Sequence, residues 1–104
     1  MSTITTTPGP FVTVTLNRPD VRNAINEELI TDLTAWAEQA AAAPGIRAAV
    51  LRGAGKTFCA GADVNWMAKT VTYTRDENLA DARRMRRMFE LLDELPFPLI
   101  GRVH

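Results

Sequence analysis

An α/β fold is the class this sequence predicts, and three stretches predict it. Val12, Val14 and Leu16 alternate with Thr13 and Thr15, the period-two pattern of a strand with one buried face. Residues 26–43 carry an apolar stripe at helical spacing. Ala48-Ala49-Val50-Leu51 is a short continuous apolar run after that helix, the pattern of a strand buried on both faces. Strand, helix and strand in that order describe a βαβ-type unit.

Each element has a local reason. Asn17-Arg18-Pro19-Asp20 ends the first strand with turn chemistry. Asn26 suits a helix N-cap, Glu27 and Glu28 suit the positive first turn, and Pro44-Gly45 closes the segment. Leu29, Ile30, Leu33, Trp36, Ala37 and Ala40 form its apolar face. Residues 53–63 are a Gly- and Ala-rich loop, and a short helix is expected from Asp63 or Val64, carrying Trp66 and Met67. Residues 70–76 read as a polar, mobile loop. A second long helix is expected over 76–94, with Leu79, Ala82, Met85, Phe89 and Leu92 inside. Arg83, Arg84, Arg86 and Arg87 mostly face out, as a solvated face rather than a phosphate patch. Pro96 stops it, and residues 98–103 begin another strand that leads to an exposed edge or an unfinished layer.

Composition bounds the function. A chain of 104 residues makes one small domain. With 46% hydrophobic and 23% charged residues it is globular rather than disordered. Twelve basic and twelve acidic side chains cancel, so no charge excess points to nucleic acid or to a membrane surface. Cys59 and His104 are the sole residues of their kinds, too few for an internal disulfide or a structural zinc site, and no metal is expected. Met1 to Pro10 is Thr-rich, without the basic and apolar regions of a secretory signal, and no stretch is long enough to cross a bilayer. The expected compartment is cytoplasmic.

Two loops could carry chemistry. Gly53-Ala54-Gly55-Lys56-Thr57 has the tail of a phosphate-binding P-loop, but the motif needs Gly where Val50 stands. Phe58-Cys59-Ala60-Gly61-Ala62-Asp63-Val64 is the stronger signal. It follows a buried strand and opens a helix, whose first N–H groups lack internal partners and favour a negatively charged oxygen. Small residues at 60–62 let a ligand approach the backbone, and Gly61 permits a dihedral that other residues resist. On spacing alone, a tight strand-to-helix turn with Ala and Gly chosen for packing is the favoured reading. Cys59 has no histidine near it in sequence and reads as a small core residue.

Three stretches together resemble the crotonase family of enoyl-CoA hydratases and isomerases. They are Leu16-Asn17-Arg18-Pro19 with Asn23-Ala24-Ile25-Asn26; Val50-Leu51-Arg52-Gly53 running into Lys56-Thr57-Phe58-Cys59-Ala60-Gly61-Ala62-Asp63; and Leu95-Pro96-Phe97-Pro98-Leu99-Ile100-Gly101-Arg102-Val103. The Ala-Gly-Ala-Asp segment is the most specific.

The resemblance implies the N-terminal part of a ββα spiral, with residues 1–104 an incomplete portion of one domain. It implies an acyl-CoA thioester as partner, coenzyme A being part of the substrate and no separate cofactor. It makes the Ala62 backbone N–H one of two donors to the thioester oxygen. Ala24, Ala60 and Gly61 line the CoA site mostly through backbone atoms. Asp63, Val64 and Asn65 continue the acyl-pocket wall, with Trp66 and Met67 nearby, though core packing explains those two as well. Val64-Asn65-Trp66-Met67 also resembles hydratases of branched or carboxylated enoyl-CoAs, such as the methylglutaconyl-CoA type. A Gly-rich turn with the second donor, the catalytic glutamates and the helices that build a homotrimer or hexamer are expected beyond His104. Glu27, Glu28, Glu90 and Glu94 lie outside the motif and do not replace those glutamates. Two functions therefore stand open: part of an enoyl-CoA hydratase/isomerase that polarises a thioester carbonyl, or a non-catalytic fragment that binds CoA or associates with other chains.

Overall fold

The computed structural model describes residues 2–104. Four strands form one mixed sheet in chain order: β1 (Ile4–Thr6), β2 (Phe11–Leu16), β3 (Ala48–Gly53) and β4 (Leu99–Gly101). β1 runs antiparallel to β2, and the other pairs are parallel. Helix α1 (Glu27–Ala42) makes the crossover from β2 to β3; α2 (Val64–Thr70) and α3 (Arg75–Asp93) lie between β3 and β4. The expected βαβ unit is therefore β2-α1-β3.

Register decides which side of the sheet is the core. Val12, Val14 and Leu16 pair with Ala49, Leu51 and Gly53, and Ile4 pairs with Leu16. Paired residues share a face. That face packs on α1 and on Met88 and Phe97. The other face carries Phe11, Val50 and Ile100, and here the structure corrects the sequence reading. β3 is buried on one face only: Val50 is half-buried and Ile100 exposed, because no described element packs over them. A continuous apolar run reports two sides that avoid water, not two sides that are covered in these residues.

Local chemistry sets the helix ends. The Asn26 side chain accepts the Leu29 N–H at 3.0 Å, the expected cap. All six apolar residues expected on α1 are buried. α3 starts with a capping box: Thr74 accepts the Glu77 N–H, and the Glu77 carboxylate accepts the Thr74 N–H. Its inner face is rotated from the expected one. Asp81 and Met88 are buried and Met85 and Leu92 half-buried, while Leu79, Ala82 and Phe89 are exposed. Asp81 turns inward because it accepts the Trp66 indole N–H at 3.0 Å and pairs with Arg84. The segment after α2 is shorter than the expected loop and is tied down: Thr72 bonds back to Lys69, and the Tyr73 hydroxyl donates to Glu27 at 2.9 Å.

The P-loop reading fails on geometry. No helix follows Lys56-Thr57, and α2 begins only at Val64. The loop is instead clamped by Asn23, which is fully buried with φ +56°. Asn23 accepts the Arg18 N–H at 2.9 Å and donates to the carbonyls of Ala54 at 2.9 Å and Thr57 at 2.8 Å. Gly53 lies against it, since a Cβ there would stand 2.8 Å from Asn23 Nδ2 and 2.4 Å from the Phe58 carbonyl oxygen. Each such bond contributes about 0.5–1.5 kcal/mol net. Asn23→Ala is accordingly expected to lower the unfolding free energy by about 2–4 kcal/mol. Equilibrium urea unfolding measures this, and a change within about 0.5 kcal/mol, as at ordinary surface sites, would contradict the clamp.

Candidate active site

Ile25 holds the small-residue turn as a strand would. Its N–H donates to the Gly61 carbonyl at 2.7 Å, and its carbonyl accepts the Asp63 N–H at 2.8 Å, a parallel bridge centred on Ala62. There are no cis peptide bonds among the described residues. In a trans peptide the N–H points opposite to the preceding carbonyl. Because the Gly61 carbonyl faces Ile25, the Ala62 N–H faces away from it. Ala62 is exposed, and its N–H has no acceptor among the described residues. Gly61 has φ +96°, the left-handed region a side chain resists, and this turns the backbone into the bridge.

The neighbouring backbone groups are already engaged. The Ala60 N–H donates to Arg22 at 3.0 Å and the Ala24 N–H to Val21 at 3.1 Å. The Ala24 carbonyl accepts the Arg18 guanidinium, which leaves one carbonyl lone pair for a ligand. Of the candidate residues, Ala60, Gly61, Ala62, Val64 and Asn65 are exposed, whereas Ala24 and Asp63 are buried.

The α2 terminus differs from the sequence reading. Asp63 Oδ1 accepts the N–H groups of Asn65 at 2.8 Å and Trp66 at 3.1 Å. The carboxylate is thus the helix's own cap and uses the donors that an external anion would need. Its second oxygen pairs with Arg18 at 3.1 Å. The Trp66 N–H bond, then the Arg18 and Asn65 bonds, outweigh burial and hold the Asp63 carboxyl below the usual carboxylate range. Asp63 is therefore a buried cap beside the turn, not an open wall.

Other side chains sort themselves around this core. Trp66 is half-buried with its indole bonded to Asp81, so packing accounts for it; Met67 is exposed. Cys59 is half-buried and packs against the core, at the edge of an apolar cavity of about 100 Å³ that Leu29, Met88 and Leu92 also line. A polar cleft of about 370 Å³ lies between Arg18, Asn65, Lys69 and the first turn of α1. In it Glu27 takes the Lys69 ammonium and the Tyr73 hydroxyl; its charge holds the Lys69 pKa up, and its hydrogen bond, with burial, holds that of Tyr73 up. Glu28 accepts the Ser2 hydroxyl, and Glu90 pairs with Arg86. The sequence reading had not singled out Arg18, Asn23 or Asp81 by role.

The family model for enoyl-CoA hydratase/isomerase matches residues 7–104. The chain belongs to this family. A Thermus thermophilus protein provisionally named an enoyl-CoA hydratase is 32% identical over 96 residues, 92% of this chain and 38% of that protein. The mevalonyl-coenzyme A hydratase of Beauveria bassiana is 53% identical over 58 residues, 55% of this chain and 21% of the hydratase. The crystal structure of an enoyl-CoA hydratase from Shewanella pealeana superposes with a TM-score of 0.94 at 33% identity, over 98% of this chain and 39% of its own. The chain spans about two fifths of the length of the Thermus and Shewanella relatives. No described helix is long and apolar enough to cross a membrane.

The depressed Asp63 pKa has a definite sign. A carboxylate favoured in the folded state stabilises fully above its unfolded value of 3.8, and that contribution is lost as pH falls through the lower folded value. Asp63→Asn keeps a capping oxygen but cannot ionise. It is expected to flatten the acid limb of the stability curve below about pH 4. Thermal melts between pH 2 and 7 measure this, and parallel acid limbs would contradict the assignment.

Proposed function

We propose that the full-length protein hydrates or isomerises an α,β-unsaturated acyl-CoA, with the Ala62 N–H as one of two donors to the thioester oxygen. The carrying observation is the unpartnered, outward N–H at an exposed, small-residue turn. Charge grows on that oxygen as water adds or a proton leaves the α-carbon. A fixed donor stabilises it more in the transition state than in the ground state. Ala60 and Gly61 keep side chains out of the way, and Ala24 offers its remaining carbonyl lone pair to CoA. Val64, Asn65 and Met67 are exposed and available to the acyl wall.

Proton transfer needs a carboxylate free to titrate near neutral pH. Asp63 is bonded at both oxygens and held ionised, so it does not serve. The second donor and the acid-base carboxylates fall to the rest of the full-length protein, which we read as a cytoplasmic homotrimer or hexamer. For residues 2–104 alone the reading is ligand binding without turnover. The Val64-Asn65-Trp66-Met67 stretch, with the likeness to a mevalonyl-coenzyme A hydratase, favours a branched acyl group.

Two measurements test this. Calorimetric titration of the full-length protein is expected to show binding of crotonyl-CoA and none of ATP; binding of ATP alone would overturn the ligand class. Ala62→Gly keeps the donor and loosens the loop at about 1 kcal/mol. Ala62→Pro deletes it. Turnover of the proline variant is expected to fall about 10²–10³-fold, far more than that of the glycine variant. A circular dichroism melt shows that both are folded. A folded proline variant with near-normal turnover would place the thioester oxygen elsewhere.

A further inference from the structure

Arg18 touches both ends of the proposed ligand track. One guanidinium nitrogen donates to the Ala24 carbonyl, and the other pairs with Asp63, the residue after Ala62. Its side chain is 18% exposed and that of Asp63 is 8% exposed, so the pair is shielded from water on most sides. Arg18 is itself fixed: its N–H is held by Asn23, and its carbonyl accepts the N–H groups of Val21 and Asn23. A planar fork on two acceptors sets their separation in a way a flexible single ammonium does not.

We propose that Arg18 is a positioning residue that sets the aim of the Ala62 N–H, resting on the reading of that N–H as a thioester donor. The chain of contacts is short. Arg18 holds the Asp63 carboxylate; that carboxylate anchors the α2 terminus, and the Asp63 N–H is the second half of the Ile25 bridge. Without Arg18, Asp63 is a largely buried carboxylate with one oxygen unpaired. It turns toward water, its N–H leaves the Ile25 carbonyl, and the bridge that fixes the Gly61–Ala62 peptide is left with one bond. Arg18 neutralises Asp63 as well, so that no net negative charge stands behind the developing oxyanion. No step of bond making runs through Arg18.

The test uses the full-length protein with cinnamoyl-CoA, whose conjugated band moves to longer wavelength when a donor polarises the thioester carbonyl. Free CoA, which lacks the carbonyl, is the control, and a melt accompanies each variant. Wild type is expected to bind both and to show the red shift. Arg18→Gln and Asp63→Asn are expected to lose at least about half of that shift while still binding free CoA, with kcat for crotonyl-CoA down roughly 10–100-fold and KM little changed. Arg18→Lys, which reaches one acceptor at a time, is expected to recover part of the shift. A merely structural role would lower the melting temperature and leave the spectrum of bound ligand intact. Should Arg18→Gln not fold, Asp63→Asn decides, since asparagine still caps α2. A folded variant of either kind with the full red shift would overturn the proposal. Wild type that binds cinnamoyl-CoA with no shift would overturn the Ala62 reading beneath it, a different and separately visible result.

Discussion

The two hydrogen bonds of Ile25 to the backbone at 61 and 63 are the constraint on which the site depends. They make a lone β-bridge outside the sheet. A bridge residue that gives both its groups to the neighbours of its partner forces the partner's own groups to the other side. The donor at Ala62 is therefore aimed by a residue some distance back in sequence, at the start of α1. A side chain at that position adds nothing to the aim. The small residues of the turn fit the proposed role: backbone would be what is offered to a ligand, and bulk would cover it.

Charge around the turn is arranged to leave one donor open. A helix start offers several N–H groups, and α2 gives its own to Asp63. That carboxylate would repel the oxyanion of the proposed reaction if it stood alone, and Arg18 pairs with it. The cap, the ion pair and the outward N–H are thus one unit. Asn23 extends the unit to the loop after β3 and shapes the space that Gly53 leaves vacant. The same clamp removes the phosphate-binding reading of that loop, since its carbonyls at 54 and 57 are drawn inward rather than its N–H groups.

Elements set by neighbours in sequence were legible. The Asn26 cap, the α1 face and the alternation of β2 are local, and the structure has them where the pattern puts them. Elements set across the chain were not. β1 has three residues, and it stands because Ile4 pairs with Leu16 and Thr3 bonds to Asp32. The α3 face turned because Trp66, fifteen residues earlier, draws a carboxylate inside, which no count of apolar residues reveals. The capping box at Thr74 and Glu77 was readable, and it shortens the loop that composition alone suggests. At the site, the small-residue turn was legible as a motif. The role of Asp63 was not, because a helix cap and a pocket wall look alike until the hydrogen bonds are drawn.

The most direct measurement is the Ala62 amide itself. Full-length protein labelled with ¹⁵N-alanine gives separate amide signals for Ala24, Ala60 and Ala62. With crotonyl-CoA the Ala62 proton is expected to move downfield as it donates to the thioester oxygen, and with free CoA it is expected to stay. The Ala24 and Ala60 amides, bonded to Val21 and Arg22, are expected to move little with either ligand. An Ala62 signal that does not move while crotonyl-CoA is bound would contradict the account at its centre.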